Sequence, residues 1–261
     1  MLPPLEVAVF SPASALLAQS NGAGRIEFNA PGSYASGGTT PPLDIFSSLS
    51  PQMTIPIRVM IRPRGPPTDG SPDFLYSKDE FEHMKREIQG FVESNHLDLS
   101  RGDGFVFGIL RKASDDTLQV DVERCSELIK MAQPFPCVFH RAFDTIAATA
   151  KWSDGLADLG TAGFRGLLTS GGSGNMGANL SRLGEIAATP QQQIQLVAGG
   201  GLRAQNFNIL VAELLRQSDS RVWLHTAALA RGEDGQLTEE VDSGELKALL
   251  VKLDGSLATN P

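Results

Sequence analysis

Short runs of β-branched and aromatic residues alternate along the chain with longer stretches whose apolar positions recur every three to four residues, and Gly, Pro and Ser separate the two kinds. The short runs predict strands at 5–9 (LEVAV), 24–28 (GRIEF), 56–61 (PIRVMI), 104–108 (GFVFG), 136–140 (PCVFH), 164–169 (FRGLLT), 194–198 (IQLVA) and 221–225 (RVWLH). Two helix starts are marked, one by Ser11 followed by Pro12, the other by the capping box Ser77-x-x-Glu80. Beyond that box Phe81, Met84, Ile88, Phe91 and Val92 form one apolar stripe, the face a helix lays on a sheet. Eight strand–helix units in 261 residues predict an α/β fold, a single (β/α)8 barrel over residues 1–261. A doubly wound sheet of this length would have fewer strands or a second domain, and no linker divides the chain. The long connection 62–76, RPRGPPTDGSPDFLY, is too rich in Pro and Gly for regular structure and follows the third strand as a lid would.

Alternation within the strands assigns faces. In a barrel, one face of each strand looks into the lumen and the other packs under the helices. If Val7 and Val9 face the helices, Glu6 faces inward. By the same rule Arg25 and Glu27, then Arg58, Met60 and Arg62, then His140, point into the lumen. His225 follows if Val222 and Leu224 take the helix side, with Trp223 sharing the lumen. The prediction is a polar, charged lumen. Charges there must be paired, and Glu6 and Glu27 could pair with Arg25, Arg58 and Arg62 for purely structural reasons. Glu27, Arg62, His140 and His225 lie at the C-terminal strand ends, where barrel enzymes place their working groups, and form the candidate catalytic set. Arg62 suits a small anion, and a His or Glu suits proton transfer.

A net charge of −8 argues against a polyanionic partner such as nucleic acid. No basic N-terminal leader pattern and no long apolar run suggest export or a membrane, so a cytoplasmic protein is expected. Cys125 and Cys137 are the chain's two cysteines and make neither a disulfide framework nor a C-x-x-C site. Cys125 shares an apolar helix stripe with Val122 and Ile129, and alternation turns Cys137 toward the helices.

Gly172, Gly174 and Gly177 spell G-x-G-x-x-G. A dinucleotide loop needs an acidic residue about 20 residues on, at the end of the next strand, to hold the ribose. That strand ends in Val197-Ala198-Gly199, so the loop is read as a glycine-rich connection. Ser170, Gly171, Gly200 and Gly201 follow the sixth and seventh strands, where barrels often hold anions on backbone N–H groups, and are candidates for that role.

Several segments carry a family resemblance: RIE at 25–27, GGTTP at 37–41, VMIRPRG at 59–65, DFLYS at 73–77, VFG at 106–108, FHRAFD at 139–144, LTSG at 168–171 and GGG at 199–201. In this order they resemble the CutC family of copper homeostasis proteins. The resemblance implies a single barrel, a cytoplasmic location, homo-oligomerisation and copper handling, with copper as the implied cofactor. The chain departs from the family pattern where many members carry cysteines in the first strand and just after the second. Here those places hold Ala8 and Asn29. The lid is lengthened by residues 66–72, and the eighth strand ends His225-Thr226-Ala227-Ala228-Leu229. Without the thiols, the copper candidates in the lumen are Met60, His140 and His225, a weak set for Cu(I). Three readings stand: a copper homeostasis protein, a barrel enzyme acting on a small anionic phosphate or carboxylate metabolite by acid/base chemistry, and an interaction protein with a salt-bridged lumen. The expected partner at the mouth is a small anion or a metal ion.

Because the glycine loop lacks a ribose-binding acid, NADH should neither quench the tryptophan fluorescence nor raise the melting temperature. Saturable binding at micromolar NADH would contradict this reading.

Overall fold

The computed structural model describes residues 3–189, 194–217 and 222–255. The chain runs β1 (Leu5–Val9), α1 (Pro12–Asn21), β2 (Arg25–Phe28), α2 (Leu43–Leu49), β3 (Ile57–Met60), α3 (Lys78–Glu93) and β4 (Gly104–Phe107). A hairpin of β5 (Leu110–Lys112) and β6 (Leu118–Val120) precedes α4 (Val122–Met131), β7 (Cys137–Phe139), α5 (Phe143–Ala147) and α6 (Trp152–Ala162). Then come β8 (Gly166–Thr169), α7 (Leu180–Ala188), β9 (Gln195–Ala198), α8 (Phe207–Gln217) and β10 (Trp223–Thr226). A second hairpin, β11 (Leu229–Arg231) and β12 (Leu237–Val241), leads to α9 (Ser243–Gly255). Strands β1-β10-β9-β8-β7-β4-β3-β2 close a parallel barrel, the predicted (β/α)8 architecture. Its eight strands fall on the eight predicted runs, although Arg221, at the start of the last run, lies outside the described residues. The two hairpins were not predicted, because their short strands sit in polar loop sequence.

Local chemistry explains the helix starts. Ser11 Oγ accepts the Ser14 N–H at 3.1 Å ahead of Pro12. At α3, Ser77 Oγ accepts the Glu80 N–H at 3.2 Å while Glu80 Oε2 accepts the Ser77 N–H at 2.6 Å, a complete capping box. No helix among the described residues is long and apolar enough to cross a membrane.

The main core lies between barrel and helices, where Val7, Val9, Ile26, Phe28, Ile57 and Val59 are all fully buried. Phe105 packs edge-on against Phe91 and Phe135, and Phe139 against Phe164. A second core fills the lumen: Met60, Val106, Val138, Leu168 and Val197, with Trp223 against them. This corrects the expectation of a polar, charged lumen. Strand β4, the Leu167-Leu168 pair of β8 and the Leu196-Val197 pair of β9 are apolar on both faces, as buried parallel strands are, so alternation carries no signal there. Charge is confined to β1–β3, β10 and the mouth.

The N-terminal end of the barrel is sealed by Asp103. Its carboxylate accepts the N–H of Ile57 at 2.9 Å and of Asp98 at 2.8 Å, and it pairs with both Nε and Nη2 of Arg101. Breaking a buried pair by removing one partner costs about 3–5 kcal/mol. Asp103→Ala should therefore lower stability by about that much in urea unfolding while leaving ligand binding at the opposite mouth intact.

Candidate binding site at the barrel mouth

A cavity of about 510 Å³ opens at the C-terminal ends of the strands. Glu27, Met60, Arg62, His140 and His225 all line it, as do Gly200 and Gly201. Glu27 comes from β2, Met60 ends β3, Arg62 lies two residues beyond it, His140 follows β7 and His225 lies in β10.

Beneath the cavity the register of β1 with its neighbours sets Glu6 beside both Arg25 and His225. Glu6 Oε2 accepts from Arg25 Nε, and Glu6 Oε1 lies 2.8 Å from His225 Nδ1. Burial alone would raise the Glu6 carboxyl, but the Arg25 charge and the His225 hydrogen bond hold it down at about 2. An ionised carboxylate only accepts, so His225 Nδ1 carries the proton. Burial works against a charged His225, yet the Glu6 bond and the Glu27 and Glu6 charges raise its pKa. Arg25 also donates to Gln195 Oε1 at 2.9 Å and stacks on Trp223, 3.9 Å from the ring centroid.

The other pairings considered from the sequence do not form. Arg58 donates to the Gly102 carbonyl. Arg62 donates Nη1 to the carbonyls of Ser36 and Gly38 and Nη2 to Asp73 at 2.7 Å, and its guanidinium sits 5.0 Å from the Phe74 ring centroid. The fork expected to grip an anion is thus spent on the lid, and Nε is its buried nitrogen without a partner. Glu27 is left with one hydrogen bond to its carboxylate, from Asn29 Nδ2 to Oε1 at 3.2 Å. Its Oε2 is buried and unpartnered, and burial raises its pKa.

His140 stands in a different state. Its Nδ1 accepts the Ala142 N–H at 3.2 Å, so the neutral ring carries its proton on Nε2, which has no partner. Burial and the nearby Arg62 charge lower its pKa to about 3. A methyl group on Gly108 would come within 2.6 Å of Nδ1, so only glycine leaves room for the ring. Phe74 of the lid packs against the other side at 4.8 Å between ring centroids. The arrangement can offer an N–H to a ligand oxygen and, from Glu27, a carboxylate oxygen to a proton or a cation.

The proposed anion loop divides. Gly200 and Gly201 line the cavity, but Ser170 and Gly171 do not, because their N–H groups are donated internally to Asp144 Oδ1 at 2.8 Å and Thr169 Oγ1 at 2.9 Å. Asp144, which also accepts from Thr169 Oγ1 and Arg141 Nε, is the organiser of this loop, and both Arg141 and Asp144 border the cavity. Sequence reasoning assigned them no role although they lie within FHRAFD; an i, i+3 Arg–Asp pair just after a barrel strand was the available signal. The glycine-rich loop itself is pinned by Arg141 Nη2 on the Gly174 carbonyl at 2.9 Å and by Asn179 Nδ2 on the Ser173 carbonyl at 2.9 Å.

The donor set does not suit Cu(I), which selects thiolate, thioether and imidazole. Ala8 lines the cavity and Asn29 holds Glu27, where thiols would be needed. Cys125 and Cys137 lie in the core under the helices, and burial pushes the Cys137 thiol up to about 12. Met60, His140 and His225 remain.

The CutC family model matches residues 4–218. A copper homeostasis protein cutC homolog of Mus musculus is 35% identical over 202 residues, 77% of this chain and 66% of that protein, so the match spans just under two thirds of the mouse relative. A CutC family protein of Photorhabdus laumondii is 34% identical over 225 residues, 85% of this chain and 82% of its own length. A CutC crystal structure from Streptococcus agalactiae superposes with a TM-score of 0.71 at 25% identity, covering 87% of this chain and 99% of that one.

The neutral His140 has a consequence for stability. Unfolded histidine binds a proton near pH 6.5 and the folded residue only near about 3, so the unfolded state gains protons first as pH falls. Stability should decline from about pH 6.5 downward, and less steeply in His140→Gln, as urea midpoints at about pH 7 and about pH 5 will show.

Proposed function

The chain belongs to the CutC family, and from that premise we propose that it serves copper homeostasis, the role for which its mouse relative is named, through a mouth cavity that binds a small oxygen-bearing anion. One observation carries this reading. Three buried polar atoms without partners, Glu27 Oε2, His140 Nε2 and Arg62 Nε, belong to residues that line a single cavity. Buried polar atoms are nearly always satisfied, so unpartnered ones on residues that wall a single cavity point to a ligand. Two of them are N–H donors and suit an anionic or carbonyl oxygen. A lumen that is salt-bridged for structure alone leaves them unexplained. We place the protein in the cytoplasm and expect it to self-associate, as the family resemblance implies.

A proton-transferring enzyme is the second reading, favoured by a neutral His140 donor and a Glu27 carboxyl raised by burial in the same cavity, two carboxyl–imidazole states that barrel enzymes pair for acid/base work. Direct Cu(I) holding by Met60, His140 and His225 is weak on either reading, since no thiolate joins them.

Titration with inorganic phosphate should show saturable binding that His140→Ala weakens at least tenfold. A competition titration with a Cu(I) chelator on the reduced protein should show weak uptake, little changed in His140→Ala or in Cys125→Ser/Cys137→Ser. Tight stoichiometric Cu(I) uptake lost in His140→Ala would replace the anion reading with a copper trap; uptake lost only with the cysteines would mean that Cys137 does not face the helices.

A further inference from the structure

Glu6, Glu27 and His225 each place one ligand atom within 4.8 Å of the others, and all three are buried. Ligands on one ion are nearly this close, because bonds to carboxylate oxygen and imidazole nitrogen run about 2.0–2.2 Å. Independently of that spacing, Glu27 is 5% exposed and its Oε2 has no partner. A buried carboxyl oxygen without a partner is open to a cation or a protic group. The nearby guanidinium groups do not supply one: Arg25 donates to Glu6 and Gln195, and Arg58 to the Gly102 carbonyl.

His225 is already set for the task. Its Nδ1 bond to Glu6 Oε1 at 2.8 Å fixes the ring and leaves Nε2 as the free ring nitrogen. A carboxylate behind one imidazole nitrogen is how proteins orient the other nitrogen toward a metal.

The chemistry of the set is oxygen and imidazole nitrogen, hard to borderline, with both thiols turned away under the helices. Such a site disfavours Cu(I). Among first-row divalent ions, affinity for N/O donors rises along the series to a maximum at Cu(II).

We propose that Glu27 and His225, with Glu6 behind His225, form a site for a divalent first-row cation that takes copper as Cu(II) rather than Cu(I). This rests on reading the mouth cavity as the working site and supplies its cationic half. Glu27 Oε2 and His225 Nε2 meet the ion, while the N–H groups of His140 and Arg62 meet the oxygen anion that accompanies it.

The test uses the full chain in a His83→Gln/His96→Gln background, which removes the two histidines outside the cavity. Calorimetric titration with Cu2+, Zn2+ and Mg2+ in turn should give one Cu2+ per chain, bound more tightly than Zn2+, with Mg2+ weakest. The Cu2+ paramagnetic resonance spectrum should show a single imidazole nitrogen that persists in His140→Ala. Glu27→Gln should weaken Cu2+ binding at least tenfold, with the melting temperature of the metal-free variant reporting that it folds. If that variant does not fold, the nitrogen signal decides alone. No saturable Cu2+ binding, wild-type binding in a folded Glu27→Gln variant, or a nitrogen signal lost with His140→Ala would each overturn the proposal. Titrations with inorganic phosphate and with Cu2+, each alone, separate the two readings: a protein that binds phosphate but takes no Cu2+ defeats this inference and leaves the anion reading standing, and one that takes Cu2+ but no phosphate does the reverse.

Discussion

The carboxylate of Glu6 is the interaction on which the barrel and its mouth both depend. Strand β1 lies between β2 and β10, so pairing it on both sides is what closes the ring. The same register sets Glu6 opposite Arg25 on one neighbour and His225 on the other. Closure therefore delivers a buried anion to a buried guanidinium and an imidazole in one step, and any other register of β1 strands Arg25 in the lumen without its counter-ion. Losing one member of such a set costs about 3–5 kcal/mol, mostly because the remaining charge is left buried. Arg25 is further held under the indole of Trp223, which belongs to the apolar belt. The belt thus walls off the ionic floor from solvent and ties it to the lumen core.

Above the belt the same physics yields a different result. Arg62 is as buried as Arg25, yet its partners come from loops: the carbonyls of Ser36 and Gly38, and Asp73 of the lid. Asp73 also meets Arg64, which pairs with Glu80 of the capping box. The lid is therefore wired from the mouth to the start of α3, and Phe74 is carried onto His140 and Arg62 by a backbone with a φ of +65°. A left-handed phenylalanine is uncommon and persists only where its surroundings fix it. Here the fixing contacts are the rings and guanidinium at the mouth together with two hydrogen bonds of its own backbone, Leu110 N–H to the Phe74 carbonyl at 2.9 Å and Phe74 N–H to Asp73 Oδ1 at 2.7 Å.

Alternation along β1, β2, β3, β7 and β10 was enough to find Glu27, Met60, Arg62, His140 and His225, because in those strands a polar residue sits between apolar ones and a buried strand has only two faces. It failed where both faces are apolar. Val106, Leu168 and Val197 fill the lumen, but nothing in VF, LL or LV says which of two apolar neighbours points inward. Pairing was less legible than direction. Glu27 and Arg62 both reach the mouth, yet the sequence could not show that Arg62 is claimed by Asp73, eleven residues on in a loop without periodicity. Nor could it show that Ser170 N–H is claimed by Asp144, because that bond joins two βα loops of neighbouring units.

This unequal pairing gives the cavity its chemical character. If Arg62 had paired with Glu27, the mouth would be neutral, satisfied and inert, the purely structural lumen that the sequence allowed. Asp73 instead takes Arg62 from outside the barrel, and Glu6 takes Arg25 from below, so Glu27 is left as a buried carboxylate whose one side-chain donor is the neutral amide of Asn29. Position 29 is one of the two places where the resemblance implies a thiol. An amide there offers no soft ligand and steadies a hard one, since Asn29 Nδ2 fixes Oε1 and leaves Oε2 free. The mouth of this chain is accordingly set for oxygen and nitrogen chemistry. With His140 held neutral by burial and by the charge of Arg62, the cavity walls carry both an N–H donor and an acceptor that has no partner of its own, and a ligand bearing both an oxygen and a positive or protic centre matches both.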